Sequence, residues 1–374
     1  MCASVVISGS GLWKPAEVVT NEELVTVYNA YACGFNEANR DAIANRSVAE
    51  KPLSSAEFIE KASGIKQRYV YTKEGILDAE RMRPLLAPRA DDELSHQAEM
   101  AVAAARRALT AANKTPADID MVIVSCAYTQ RAYPAIAIEV QAELGIDGFG
   151  FDMLVACSAA TFALHRAHDA VAAGSARGVL VINPELTTPQ INFCDRDAHF
   201  IFGDVSTAVV VESESTCTAP HAYTVVGTKA VTQFSSNIRS NFGYLSYADD
   251  TDPYAEDKLF KQNGRRVFKE VCPMAAKHLQ QQVRAVGLAV SDISRWWLHQ
   301  ANLNMNELIA RRLLGHDPDA ALAPIVLDEF ANTASAGSII AFNLHQEDLA
   351  SGDYGVICSF GAGYSIGSLV LKKI

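Results

Sequence analysis

Positive charge is scarce in this sequence. Across 374 residues, Lys and Arg number 32 against 43 Asp and Glu, giving a net charge of −11. Such a surface repels nucleic acid and anionic membrane unless a local basic patch overrides the balance, so neither is expected as a partner. No apolar run approaches the roughly 18 residues that a membrane-spanning helix needs. The opening residues 1–9 lack the basic stretch and long apolar core of a secretory signal and read as a strand. None of the eight cysteines (Cys2, Cys33, Cys126, Cys157, Cys194, Cys217, Cys272 and Cys358) falls in a CxxC pair, which argues against a zinc ribbon or a thioredoxin-like motif. A disulfide scaffold is also unexpected in a long chain with a large core. The expectation is a cytoplasmic protein with free thiols, no metal site and no membrane insertion.

Apolar residues make up 49% of the sequence, enough for a sizeable core. Val- and Ile-rich strands alternate with Ala-rich helical stretches, which predicts a layered α/β fold. An internal repeat organises it. A helix beginning near Met100 leads through Asp118 into a strand over 121–125, and one beginning near Met274 leads through Asp292 into a strand over 295–299. A second echo pairs the strand at 178–182 with that at 355–359. Two related stretches so far apart imply a duplicated α/β unit. The Ser/Thr-rich connection 213–220 predicts the boundary, with one half over 1–215 and the other over 220–374. Segments 27–55 and 73–92 read as insertions.

The chemistry concentrates in three places. Around Cys157 an apolar strand passes into a helix that stops at Gly174, so the thiol sits near a helix N-terminus, where unpaired N–H groups favour a thiolate and can hold an oxyanion. His299 stands at a strand's C-terminal end, where α/β sites gather. Asn332 lies in a loop of small residues before an apolar helix, and serves either as a turn residue or as a hydrogen-bond donor. Together they read as a thiol nucleophile with two donors.

Six motifs in this order resemble the β-ketoacyl-acyl-carrier-protein synthase III family of the thiolase fold over essentially the whole chain. They are Val-Ala-Cys157-Ser-Ala, Phe202-Gly-Asp204, Asn263-Gly-Arg-Arg-Val-Phe-Lys269, His299-Gln-Ala-Asn302, Asn332-Thr-Ala-Ser-Ala336 and Phe360-Gly-Ala-Gly-Tyr-Ser-Ile-Gly367. Segments 131–137, 183–185 and 192–200 look like the branch that makes 3-oxodecanoyl-acyl-carrier protein from a medium-chain acyl-CoA. The resemblance implies a duplicated five-layer αβαβα fold and a decarboxylating Claisen condensation. Cys157 would carry the acyl group, the N–H groups of Cys157 and Gly363 would form the oxyanion hole, and His299 and Asn332 would hold the enolate of malonyl-acyl-carrier protein. It further implies a homodimer, acyl carrier protein and acyl-CoA as partners, and no cofactor beyond these substrates.

Some positions depart from the family. Phe58 and Ala62 stand where acetyl-CoA-primed members place a Trp and an Arg against CoA, while Arg196 matches a second CoA-contacting Arg. Asn304 replaces a carrier-docking Arg, leaving Lys269, Arg311 and Arg312 as candidate docking cations. Tyr133 aligns with an aromatic that reaches the partner subunit's acyl pocket. Cys358 reads as core, since Ser359 takes the thiolase acid/base position. Two other readings remain open: a thiolase-fold acyltransferase or condensing enzyme of secondary metabolism, of alkylquinolone or polyketide type, and a catalytically silent partner subunit.

Overall fold

The computed structural model describes residues 4–252 and 255–374; Cys2 lies outside them. A nine-stranded mixed sheet organises the chain. Its strands are β1 (Val5–Trp13), β2 (Met121–Cys126), β3 (Phe149–Leu154), β4 (Gly178–Glu185), β5 (Val205–Ser213), β6 (Tyr223–Ser235), β7 (Ile293–Leu298), β8 (Tyr354–Gly361) and β9 (Gly363–Lys373). They run in the order β7-β8-β9-β6-β1-β5-β4-β2-β3. Neighbours pair antiparallel except β2 with β3, β2 with β4 and β7 with β8. The two halves of the sheet meet where β1 pairs β6 through only Val6–Thr224 and Ile7–Tyr223.

Period-two alternation sends neighbouring side chains into different layers. Met121 and Ile123 face a central core, which they share with the helix Ala159–Ala172 and the helix Gly337–Leu344. Val122 and Val124 face an outer core under the helix His96–Ala112. The second half repeats the scheme. Trp297 turns inward against Tyr223 and Phe342, edge to face at 5.9 and 5.0 Å. Trp296 turns outward, beneath the helices Gly264–Ala285 and Leu303–Leu314. Helix, half-sheet, paired helices, half-sheet and helix make the five expected layers.

The repeated turns are built alike. The Asp118 carboxylate accepts from the Thr115 N–H at 2.8 Å, and the Asp292 carboxylate accepts from the Ala289 N–H at the same distance. One difference from the expected elements lies in the helix near Met274, which begins ten residues earlier, at Gly264, with the Asn263 side chain capping the Arg266 N–H at 3.2 Å. Pro273 sits inside it on the exposed side, where the lost hydrogen bond to the carbonyl four residues back is open to water. The segment 27–55 continues the helix Asn21–Ala38 and adds the short helix Arg40–Ala44, whereas 73–92 crosses the surface without helix or strand.

The first half's outer helix lies directly on β1, at glycine. A Cβ at Gly11 would stand 2.3 Å from the Ala104 carbonyl oxygen and 2.5 Å from the Ala108 nitrogen, both backbone atoms. Gly11→Ala should therefore destabilise the protein by about 1–3 kcal/mol, the usual cost of overpacking. Denaturant unfolding checks this; an unchanged midpoint would mean that the helix and strand can separate freely.

Candidate active site

Cys157 stands in the turn Ala156–Ser158, between β3 and the helix Ala159–Ala172. Ala156 enters that turn at φ 45°, a left-handed backbone that a residue with a Cβ adopts only under constraint. The expected thiolate is not favoured here. Burial pushes the Cys157 thiol up to about 12, and the carboxyl of Glu185 adds to the effect. The Ser158 N–H, which could have faced an anion, is spent on the Val155 carbonyl at 3.1 Å. Burial thus opposes the thiolate that the helix N-terminus favours.

His299 follows β7, and its backbone N–H donates to the Cys358 carbonyl at 2.8 Å. Its ring meets Phe360 edge to face, with centroids 5.1 Å apart. Burial draws the imidazole down to about 3, so it is neutral at physiological pH. Nδ1 is buried without a hydrogen-bond partner. An idle lone pair is less costly there than an orphaned N–H, which assigns the proton to Nε2. The motif around His299 is locked from both sides: Gln300 accepts from the Val326 N–H at 3.0 Å, and Asn302 donates to the Ala62 carbonyl at 2.7 Å.

Asn332 is tied through its main chain to the strand-like segment beside Phe202. Its N–H donates to the Ile201 carbonyl at 3.0 Å, and its carbonyl accepts from the Gly203 N–H at 3.1 Å. The side-chain Oδ1 accepts from the Ala334 N–H at 2.9 Å, which leaves Nδ2 as the donor end of the amide. The turn role and the donor role are thus compatible in one residue.

Cys157, His299 and Asn332 line a single cavity of about 510 Å³. Its apolar walls include Ile201, Phe202, Phe260, Val267, Phe268 and Met305. Phe58, Ala62 and Asn304 line it too, and the Arg196 guanidinium stacks on the Phe58 ring at 3.5 Å from the centroid. Gly361 approaches Cys157 more closely than any side chain would allow, since a Cβ there would lie 2.6 Å from the Cys157 Cβ. Gly363 stands two residues on, at φ 134°, opposite Ser235 in the sheet ladder.

The other expected positions lie apart from the cavity's lining. Tyr133 is 79% exposed on the loop after β2. Lys269 is exposed on the helix Gly264–Ala285, one residue beyond the lining residue Phe268. Arg311 and Arg312 are exposed near the end of Leu303–Leu314, and Arg311 is ion-paired to Asp317 at 2.6 Å. Cys358 is fully buried, and burial raises its thiol pKa. His199 is buried against Tyr28, with ring centroids 4.8 Å apart. Arg265, not among the expected docking cations, is the one Lys or Arg among the described residues that lines the cavity. Its signal was its place inside the motif Asn263–Lys269.

Two family models match, 3-oxoacyl-[acyl-carrier-protein] synthase III over residues 151–230 and the C-terminal model of the same synthase over 283–373. The chain is 54% identical over 346 residues to a β-ketodecanoyl-[acyl-carrier-protein] synthase of Pseudomonas aeruginosa, covering 92% of this chain and 99% of that protein. This chain belongs to the 3-oxoacyl-acyl-carrier-protein synthase III family. A synthase III of Roseiflexus castenholzii is 30% identical over 329 residues, covering 87% of this chain and 95% of that one. Among solved structures, the priming β-ketosynthase of the R1128 polyketide pathway matches with a TM-score of 0.78 at 26% identity, covering 99% of this chain and 96% of that chain. The synthase III of Aquifex aeolicus matches in fold with a TM-score of 0.76 at 22% identity, covering 98% and 99%. As a synthase III, the protein is an acyltransferase of the condensing type. No helix among the described residues is long and apolar enough to cross a membrane.

The neutral site has a measurable consequence. Because burial holds Cys157 as a thiol, the rate of its alkylation by iodoacetamide should keep climbing with pH through 9 without levelling. A plateau near pH 7 would show an activated thiolate and contradict the site's electrostatics.

Proposed function

We propose that this synthase III condenses a medium-chain acyl-CoA, octanoyl-like, with malonyl-acyl-carrier protein to give a 3-oxoacyl-acyl-carrier protein, initiating or feeding bacterial type II fatty acid synthesis. The observation that carries the reading is the convergence of Cys157, His299 and Asn332 on one apolar cavity. The P. aeruginosa relative, named for a β-ketodecanoyl product, supports the chain length.

Cys157 Sγ attacks the primer's thioester carbonyl, and its proton ends on the departing CoA thiol. Malonyl-carrier protein then loses CO2, and the enolate oxygen receives hydrogen bonds from His299 Nε2–H and Asn332 Nδ2–H. Neutral donors act where negative charge develops, so they favour the transition state over the ground state. The enolate carbon attacks the acyl-Cys carbonyl. The oxyanion so formed is held by the Cys157 N–H together with an amide of the Gly361–Gly363 turn, Gly363 being the family's expected donor. Its collapse releases the product and a thiolate, which regains a proton from solvent. The Phe58–Arg196 stack is proposed to contact CoA. Docking of the acidic carrier protein is assigned to Lys269 with Arg311 and Arg312, and Arg265 brings a further cation to the cavity.

We further propose a homodimer acting in the cytoplasm. The edge strand β3 exposes Phe149, Phe151 and Leu154, and Tyr133 projects nearby in sequence, a combination suited to strand pairing with a second copy. The likeness to the R1128 priming ketosynthase keeps a secondary-metabolic condensation as the second reading.

Incubating the protein with acyl-CoAs of increasing length and weighing the intact chain tests the assignment. Octanoyl-CoA should leave an octanoyl group on Cys157, faster than acetyl-CoA does, and Cys157→Ala should take none. A preference for acetyl-CoA would overturn the medium-chain assignment, and no adduct from any thioester would overturn the condensing reading itself.

A further inference from the structure

A buried carboxylate grips the turn that presents Asn332. Glu185 ends β4 with only 1% of its surface exposed. Its Oε1 accepts from the Ser335 N–H at 3.0 Å and also from the Ser335 hydroxyl, and its Oε2 accepts from the Ala127 N–H at 3.1 Å. Ser335 is bonded in sequence to Ala334, whose N–H holds Asn332 Oδ1. One short path therefore links the carboxylate to the donor amide.

The two halves of the fold make the arrangement more telling. Ala156 and Ala334 both adopt left-handed backbone, at φ 45° and 47°, and each is followed by a short turn leading into a central helix. Ser335 thus takes, in the second half, the place of Cys157 in the first. The Glu185 carboxylate lies on the Ser335 N–H as an oxyanion would lie on the Cys157 N–H.

We propose that Glu185 is a positioning residue whose carboxylate, through Ser335, clamps the turn that presents Asn332 to the malonyl unit. This rests on the condensing-enzyme reading above. Protonating Glu185 weakens its grip on the Ser335 N–H and hydroxyl, so the decarboxylating step slows. Burial pushes Glu185 up to about 7, only partly offset by the hydrogen bonds from Ser335 and Ala127, so this loosening falls near neutral pH. The ionisable groups that face it are Asp204, Cys126, Tyr128 and Cys157. Asp204 is itself held by the N–H groups of Tyr71, Thr187 and Thr188. The Glu185 charge also raises the Cys157 thiol pKa, so one group acts in opposite senses on the nucleophile and on the donor.

Glu185→Gln, Ser335→Ala and Glu185→Asp separate these effects in two assays, CO2 release from malonyl-carrier protein across pH and iodoacetamide alkylation of Cys157. In wild type, CO2 release should rise through pH 7 as the carboxylate forms. Glu185→Gln should lose that rise and slow CO2 release by about tenfold or more, the scale of a misplaced group, while Cys157 alkylates several-fold faster. Ser335→Ala, which removes only a hydroxyl and keeps the test decisive if Glu185→Gln does not fold, should slow CO2 release and move its rise to higher pH, with alkylation unchanged at pH 9, where the carboxylate is ionised in both proteins. Glu185→Asp should return alkylation to the wild-type rate. If Glu185→Gln keeps the wild-type CO2 release and pH rise, or loses both assays together, the proposal fails. A wild-type protein that releases no CO2 at all would instead overturn the condensing reading, and the alkylation arm would still judge the buried charge.

Discussion

No side chain fits at Gly361. A Cβ there would stand 2.6 Å from the Cβ of Cys157 and 3.1 Å from its backbone nitrogen. That contact joins the end of β8, in the second half of the chain, to the turn after β3, in the first. Everything else at the site depends on it. His299 and Asn332 are carried by the second half, and they meet Cys157 of the first half only because the two half-sheets close on one shared layer of helices. A duplicated fold places equivalent turns face to face across that layer. One turn carries Cys157, and the other carries Ser335 held by Glu185.

The second organising feature is burial. Burial raises the Cys157 thiol to about 12 and lowers His299 to about 3, so each takes its uncharged form. Glu185, the buried carboxyl nearest this chemistry, is raised to about 7 by the same cause. A charge-poor cavity strengthens each hydrogen bond that forms when negative charge appears on substrate, and it leaves no ground-state ion pair to be broken first. The chain as a whole is strongly acidic, yet the cavity offers Arg265 and Asp197 as its charged lining among the described residues.

Much of this was legible in the residues. The repeat showed because Asp118 and Asp292 make the same backbone bond in the same turn. Cys157, His299 and Asn332 could be picked out because each follows a strand or loop that delivers it to the end of the sheet. Other features needed three dimensions. The helix from Gly264 was hidden by Pro273, which reads as a breaker but sits where the missing bond faces water. The thiolate expectation counts the helix end, whereas the burial around Cys157 pulls the thiol the other way. Charge alone could not rank the docking candidates, since Arg311 is engaged by Asp317 while Arg265 reaches the cavity. Glu185 stands out in sequence only as part of the branch-like segment 183–185, because its partners, Ser335 and Ala127, lie far from it along the chain.

In the proposed reaction the halves divide the labour: Cys157 would form the acyl-enzyme, and His299 would serve the decarboxylation that follows. Resolving the two half-reactions in His299→Ala tests that division most directly. By rapid quench, Cys157 should still take an octanoyl group from octanoyl-CoA at close to the wild-type rate. CO2 release from malonyl-carrier protein should fall by about 10²–10³, the usual loss for one preorganised donor. Equal slowing of both steps, or undiminished CO2 release, would contradict the account.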